Sequence, residues 1–274
     1  MKQRALLAAP ALYAIALAAV ALLVSDASRP ATLAIGNEAG KVIALVGCFV
    51  AVLVFERGDY LSRAWSTTGL CYLLLIVNDA VGAAPIANRM SLHQIGAAQG
   101  ALVVAANVAS VVGTWMLARA WSFAGLEDSE DEEARVRRRV VVAGTIAASL
   151  AITAWPLVHD VRDLASGQLE ALVGIASDLG DAICLALVAP LLLTALALRG
   201  GVLLWPGAML TASGLAWLVY DATSGVVDAL GVTSTGWVVF TEGLRALACA
   251  LTLSAGLAQR IAVRFADRHD VRAA

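Results

Sequence analysis

The chain has 274 residues, of which 60% are hydrophobic and only 15% charged, with a formal net charge of −2 and a mean hydropathy of +0.81. A soluble domain carries about 25% charged residues, so this composition excludes a water-soluble globular protein. The small net charge gives no reason for a nucleic-acid partner; the expected partner is the lipid bilayer.

A membrane-crossing helix needs roughly 20 mostly apolar residues. Eight stretches qualify, at about 5–24, 40–56, 61–82, 96–119, 140–158, 171–198, 202–222 and 237–260. The first, within "MKQRALLAAPALYAIALAAVALLVSDAS", resembles a secretory signal. Its apolar part exceeds the usual h-region of about 7–15 residues and no small-x-small cleavage site follows, so a retained first helix is expected. The second stretch carries Glu38 and Lys41, and the third ends in Asn78 and Asp79. The fourth bears Gln99, Asn107, Ser110 and Thr114 near one face. Next comes "LEDSEDEEARVRRR", 126–139, an acidic run and then an arginine run, read as a solvated linker with membrane anchors. The sixth stretch holds Asp178 and Asp181, the seventh ends at Asp221, and the eighth spaces Glu242, Arg245, Cys249, Thr252 and Gly256 helically. Small and weakly polar stripes of this kind usually mark close helix packing in membranes. Trp65, Trp115, Trp121, Trp205 and Trp237 fall near span ends and read as interfacial anchors.

Lys2, Arg4, Arg57, Arg63, Arg119, Arg135, Arg137–Arg139, Arg199, Arg260, Arg264, Arg268 and Arg272 fall on one side of the spans; Arg29, Arg89, Arg162 and Lys41 fall on the other. The positive-inside rule places both termini in the cytoplasm of a multi-pass bacterial inner-membrane protein.

The chain repeats itself. "IGNEAGKVIAL" (35–45) matches "IASDLGDAICL" (175–185) without a gap, Arg57-Gly58 matches Arg199-Gly200, Asp79 matches Asp221, and "AAQGA" (97–101) matches "FTEGL" (240–244). Four spans return the chain to its starting side, so the copies run parallel about an axis along the membrane normal. The expectation is an all-α polytopic protein of two four-helix repeats, 1–125 and 140–274, joined by the linker 126–139.

The ionisable residues gather at one depth. Counted from the arginine side at 1.5 Å per residue, Lys41, Asp79, Asp181, Asp221 and Glu242 lie about 24–33 Å away, near the outer membrane edge. Glu38 and Lys41, and Glu242 and Arg245, are three residues apart and can pair on one helix face. Asp178 and Asp181 share a face with no base between them. Asp79 and Asp221 fall at helix C-termini, where the macrodipole disfavours an acid by roughly 0.3–1 kcal/mol; each should have Lys41, Arg245, a proton or a cation as partner. Glu38 and Asp178 fall near N-termini, which favour an acid. Asp79, Asp178, Asp181, Asp221, Glu242, Glu38, Lys41, Arg245 and Gln99 form the candidate ligand site, since ionisable groups inside spans are functional candidates.

His93, His159 and His269 lie outside the spans, which excludes a haem held by paired membrane histidines. His93 and His159, in outer loops, could still meet the acids at a metal. Cys48, Cys71, Cys184 and Cys249 have no metal-ligand spacing and read as small buried hydrophobes. No P-loop, dinucleotide fingerprint or nucleophile elbow is present, and no cofactor is expected.

"GLCYLLLIVNDAVG" and "GLAWLVYDATSG" faintly resemble acid-bearing segments of bacterial relatives of the mammalian lysoplasmalogenases, eight-helix membrane proteins. Asn78 and Tyr220 stand where that family has small residues, and the fourth helix lacks its His. That resemblance implies a lipid hydrolase with Asp79 and Asp221 as paired carboxylates. Three functions therefore stand open: binding or transport of a cation or small cationic solute, with or without proton coupling; lipid hydrolysis; or a non-catalytic sensor or assembly role. Repeat symmetry and the acidic mouth favour the first.

Overall fold

The computed structural model describes residues 2–83, 89–123, 132–168, 171–197, 204–231 and 234–273. Among them the chain is all-helical, in eight helices: α1 Lys2–Leu23, α2 Arg29–Val52, α3 Tyr60–Gly82, α4 Leu92–Phe123, α5 Glu132–Ala165, α6 Ala171–Ala197, α7 Leu204–Ala229 and α8 Thr235–Ala273. Six of these, α2 to α6 and α8, are long and apolar enough to cross a membrane, as an integral membrane protein requires. In α1 the apolar part is the shorter Ala8–Leu23, and α7 is not among the six, so among the described residues six of the eight expected spans meet the requirement of length and composition.

Local chemistry sets the helix ends. Pro30 stands in the first turn of α2, where its fixed φ suits a helix and its missing N–H costs nothing. That is why α2 starts at Arg29, well before the expected position near 40. Gly58, at φ 88°, makes the turn into α3, and Asp59 caps that helix by accepting from the Leu61 amide at 2.8 Å. Glu132 and Glu133 suit the first turn of α5, so the arginine run of the expected linker is helical. Residues 126–131 of that linker, and the matched Arg199-Gly200, lie outside the described residues.

The bundle is organised on α8, which packs against α1, α2 and α7. Around it α2 packs on α3, α3 on α4, α4 on α6, α5 on α6 and α7, and α6 on α7. Small residues let backbones touch. A Cβ on Gly256 of α8 would lie 2.1 Å from the Gly47 carbonyl oxygen of α2, and one on Gly113 of α4 would lie 2.6 Å from Thr68 Oγ1 of α3. The expected packing role of Gly256 is therefore literal.

The outward faces are apolar, with Ile35, Val42, Val46 and Phe49 exposed along α2 and Leu150, Trp155 and Val158 along α5. Trp115 and Trp237 are exposed, but Trp65 is fully buried in the core with Cys48, Tyr72 and Cys249. It fills the α2–α3–α8 interior instead of anchoring the chain at an interface. The side chain of Trp121 lies outside the described residues.

Candidate functional site

Lys41 on α2 is only 3% exposed. Its ammonium donates to Glu38 Oε1 at 2.7 Å, one turn away, and forms an ion pair with Asp79 of α3. The other Asp79 oxygen accepts from Asn78 Nδ2 at 2.9 Å, and the Asn78 carbonyl accepts from Gln99 Nε2 of α4 at 3.3 Å. A base, a carboxylate and two amides thus tie α2, α3 and α4 together.

A second cluster joins α2, α7 and α8. Glu242 lies 3.4 Å from Arg245 Nε and accepts from Asn37 Nδ2 of α2 at 2.6 Å. Arg245 Nη1 donates to the Tyr220 hydroxyl at 3.3 Å, with the guanidinium 5.7 Å from the ring centroid. Both base-containing i,i+3 pairs therefore form. Asn37, completely buried, was legible only as a polar residue in an apolar run.

The third cluster has no base within it, although Arg245 of the second lines the same cavity and is near enough to act on Asp221. Asp181 of α6 and Asp221 of α7 put their carboxyls within hydrogen-bonding reach of each other. Asp178 lies one turn from Asp181 and is 3% exposed. Buried Asp178 Oδ2 and Asp181 Oδ2 find no donor. Two carboxylates this close cannot both carry charge without a proton or cation between them. In the ungapped match of the two segments, Asp181 stands opposite Lys41, and Asp221 opposite Asp79. The α2–α3 seam is closed by a base and an acid; the α6–α7 seam, by two acids.

Helix boundaries change the account of these acids. Asp79 does lie in the last turn of α3. Asp221, however, is two turns short of the end of α7, Asp178 is nearly two turns into α6, and Glu38 is beyond the second turn of α2. The macrodipole acts within about the first or last turn, so it neither disfavours Asp221 nor explains Glu38 and Asp178. Glu38, Asp178, Asp181 and Asp221 lie inside their helices, below the rims, while Asp79 lies at one.

A cavity of about 250 Å³ opens among the three clusters. Asn78, Asp79, Asp181, Tyr220, Asp221 and Arg245 line one end. Asn107 and Ser110 of the α4 stripe line it too, with Tyr72, Ser213 and Thr252 further along. Thr68 and Leu210 each precede the aspartate of their own helix by eleven residues, or about 16 Å of rise. The cavity therefore runs through a substantial part of the bundle's length. The polar stripes divide: Asn107, Ser110, Arg245 and Thr252 line the cavity, while Cys249 and Gly256 pack against α2.

A chain of hydroxyls spans the deep end. The Tyr72 hydroxyl lies 2.6 Å from Thr252 Oγ1, Ser213 Oγ lies 3.0 Å from the same atom, and Ser213 Oγ donates to the Ala248 carbonyl at 2.9 Å. Tyr72→Phe, which removes one link without emptying the core, should cost about 1 kcal/mol; thermal melts of purified wild-type and variant protein check this.

His159 is in α5, not a loop, and lies 3.6 Å from Asp163 on the same helix. His93 is exposed at the start of α4. Among the described residues no group of three His, Cys, Asp or Glu side chains is arranged to hold a metal. No family model, curated protein or solved structure matches the chain.

Proposed function

We propose that the chain is an integral membrane protein that binds and carries a small cation or cationic solute, exchanging it for a proton at the Asp181–Asp221 carboxyl pair. The observation that carries this reading is the exchange of charge between matched positions: a buried ion pair at Lys41–Asp79, two acids at Asp181–Asp221. A site that must hold either a proton or a cation is the minimum device for coupling the two. Beside it, the cavity supplies room for a solute.

The reading includes eight membrane-crossing helices in two parallel repeats, 1–125 and 140–274. Helix packing supports it: α2–α3 corresponds to α6–α7, α3–α4 to α7–α8, α1–α2 to α5–α6, and α2–α8 to α6–α4. Asn37 bridges to Glu242 across the α2–α8 contact, and Ser177, its match, accepts from Asn107 at 3.0 Å across α6–α4. The outer helices break the pattern, since α1 leans on α8 while α5 leans on α7. Both termini are assigned to the cytoplasmic side of a bacterial inner membrane by the arginine bias.

Lipid hydrolysis is the weaker reading. It needs one carboxyl as acid and another as base, and Asp79, one of the expected pair, is held by Lys41.

The test is thermal stability of the purified protein across pH and a panel of alkali cations and alkylamines, beside the Asp181→Asn/Asp221→Asn double variant. A ligand at one hundred times its Kd stabilises by about 2.7 kcal/mol. A cation that raises the melting temperature of wild type and not of the variant supports the reading, and proteoliposome flux of that cation follows. If neither pH nor any cation shifts the wild type differently from the variant, the pair is not a binding site.

A further inference from the structure

We infer a second cation site beside the first, in a cavity between α5, α6 and α7, whose ligand is a small protonated amine. The inference rests on the reading of Asp181–Asp221 as the inner cation site and deepens it by naming the class of solute.

This cavity measures about 400 Å³. Asp160 of α5, Asp178 of α6 and Asp221 of α7 line it, and no Lys or Arg does among the described residues. Its histidine, His159, lies beside Asp163. Asp178 is the telling residue: it is 97% withdrawn from solvent, being 3% exposed, and its Oδ2 is buried without a donor. A buried acceptor on a residue that lines a cavity offering no base is stabilised by a ligand that brings its own hydrogens and positive charge.

The walls are shaped for such a ligand. A Cβ on Gly174 would lie 2.0 Å from Asp160 Oδ2, so the missing side chain at that position is what leaves room for the Asp160 carboxylate. Gly225 likewise admits Pro156, whose Cβ would lie 2.7 Å from a Cβ placed there. Carboxylates set beside proline and bare helix backbone suit an ammonium group on a short carbon skeleton. A coordinated metal fits poorly, because it needs several converging ligands, and no group of three metal-binding side chains gathers among the described residues.

Position relative to the first site gives the second cavity its role. Ser177 and Asp221 line both cavities. Asp221 is therefore the shared wall, in reach of Asp181 on one side and of the Asp160–Asp178 cavity on the other. An amine held outside by Asp178 reaches the inner pair by exchanging one carboxylate for another, never crossing an interval without a counter-charge. The matched residue in the first half, Glu38, is already occupied by Lys41 at 2.7 Å, so this outer site belongs to the second half alone.

The test is calorimetric titration of the full chain in nanodiscs with ethylammonium chloride, with sodium chloride of equal ionic strength as reference. Wild type is expected to take two ethylammonium ions per chain. Asp178→Asn should take one, and Asp160→Asn, on the facing helix, serves as companion if Asp178→Asn does not fold. Asp181→Asn should also take one, the outer ion. Two ions retained by both outer variants would overturn the second site and leave the inner reading intact, as would a single wild-type ion that Asp181→Asn abolishes. Unchanged binding in Asp181→Asn, with one ion lost in the outer variants, would support the outer site and sink the inner one. No uptake by wild type overturns the amine assignment, and the inner reading is then decided by its own trial with protons and alkali ions.

Discussion

Asp181→Lys is expected to stabilise the protein and abolish the cation binding proposed for the inner Asp181–Asp221 pair, and Lys41→Met to destabilise the protein. The first substitution gives the α6–α7 seam the base that the α2–α3 seam already has. Its ammonium would lie within reach of Asp221, with a cavity of about 250 Å³ beside it to take the longer side chain. A hydrogen bond to a charged group contributes about 1.5–3 kcal/mol, and a tethered ammonium competes with any free cation. Lys41→Met keeps the volume and removes the charge. Breaking a buried pair costs about 3–5 kcal/mol. Glu38 and Asp79 keep 38% and 34% exposure, so about 2–3 kcal/mol is the expected loss after screening. Melting temperatures of the two variants, moving in opposite directions, check this. If Asp181→Lys melts early and still binds, the two seams are not equivalent.

Gly256→Ala should do more damage than any change of charge. The added Cβ would lie 2.1 Å from the Gly47 carbonyl oxygen, and Gly47 packs in turn on Leu253, whose Cα would be 2.5 Å from a Cβ at position 47. The obstructing atoms are backbone, so no side-chain rotation relieves the clash and α2 must leave α8. Overpacking a core costs about 1–3 kcal/mol when side chains yield; here the effect should reach or exceed the upper end. The expected result is protein that elutes as aggregate in size-exclusion chromatography in mild detergent, while Gly243→Ala, with nothing within 4 Å of its Cβ, elutes as wild type does. Normal elution of Gly256→Ala would mean that this seam is looser than its geometry.

Contacts made within one helix were legible in the sequence; of those between helices, the Lys41–Asp79 pair was among the alternatives it offered, and the pairing of Asp181 with Asp221 was not. Glu38–Lys41 and Glu242–Arg245 follow from three-residue spacing alone, and each forms. The pairing of Asp181 with Asp221 depends on how α6 and α7 are rotated about their axes, and apolar runs without strong amphipathicity do not encode that rotation. Lys41 was among the partners expected for Asp79, and the two pair; grouping Asp178 with Asp181 by spacing, and Asp79 with Asp221 by repeat, did not bring Asp181 to Asp221. One signal was available: the ungapped match sets Lys41 against Asp181, a reversal of charge in otherwise similar segments. Thr252 stood out as part of a polar stripe, but Tyr72 and Ser213 look like ordinary members of apolar helices until packing brings the three hydroxyls together. Trp65 misled because a tryptophan near a span end has the same local sequence whether it faces a headgroup or a neighbouring helix.

The hydroxyl chain of Tyr72, Thr252 and Ser213 divides the motions open to this molecule. It draws α3, α7 and α8 together at the far end of the central cavity, through hydrogen bonds of about 1 kcal/mol each. Such a seam can part and close again within the microsecond-to-millisecond range of helix movements. The glycine contact of α2 on α8 has no comparable freedom, since backbone already rests on backbone. If a solute does pass from one face of the membrane to the other, α8 with α2 is the post and the hydroxyl seam is the latch. On the proposed transport reading, losing that latch is expected to open the cavity before it unfolds the bundle.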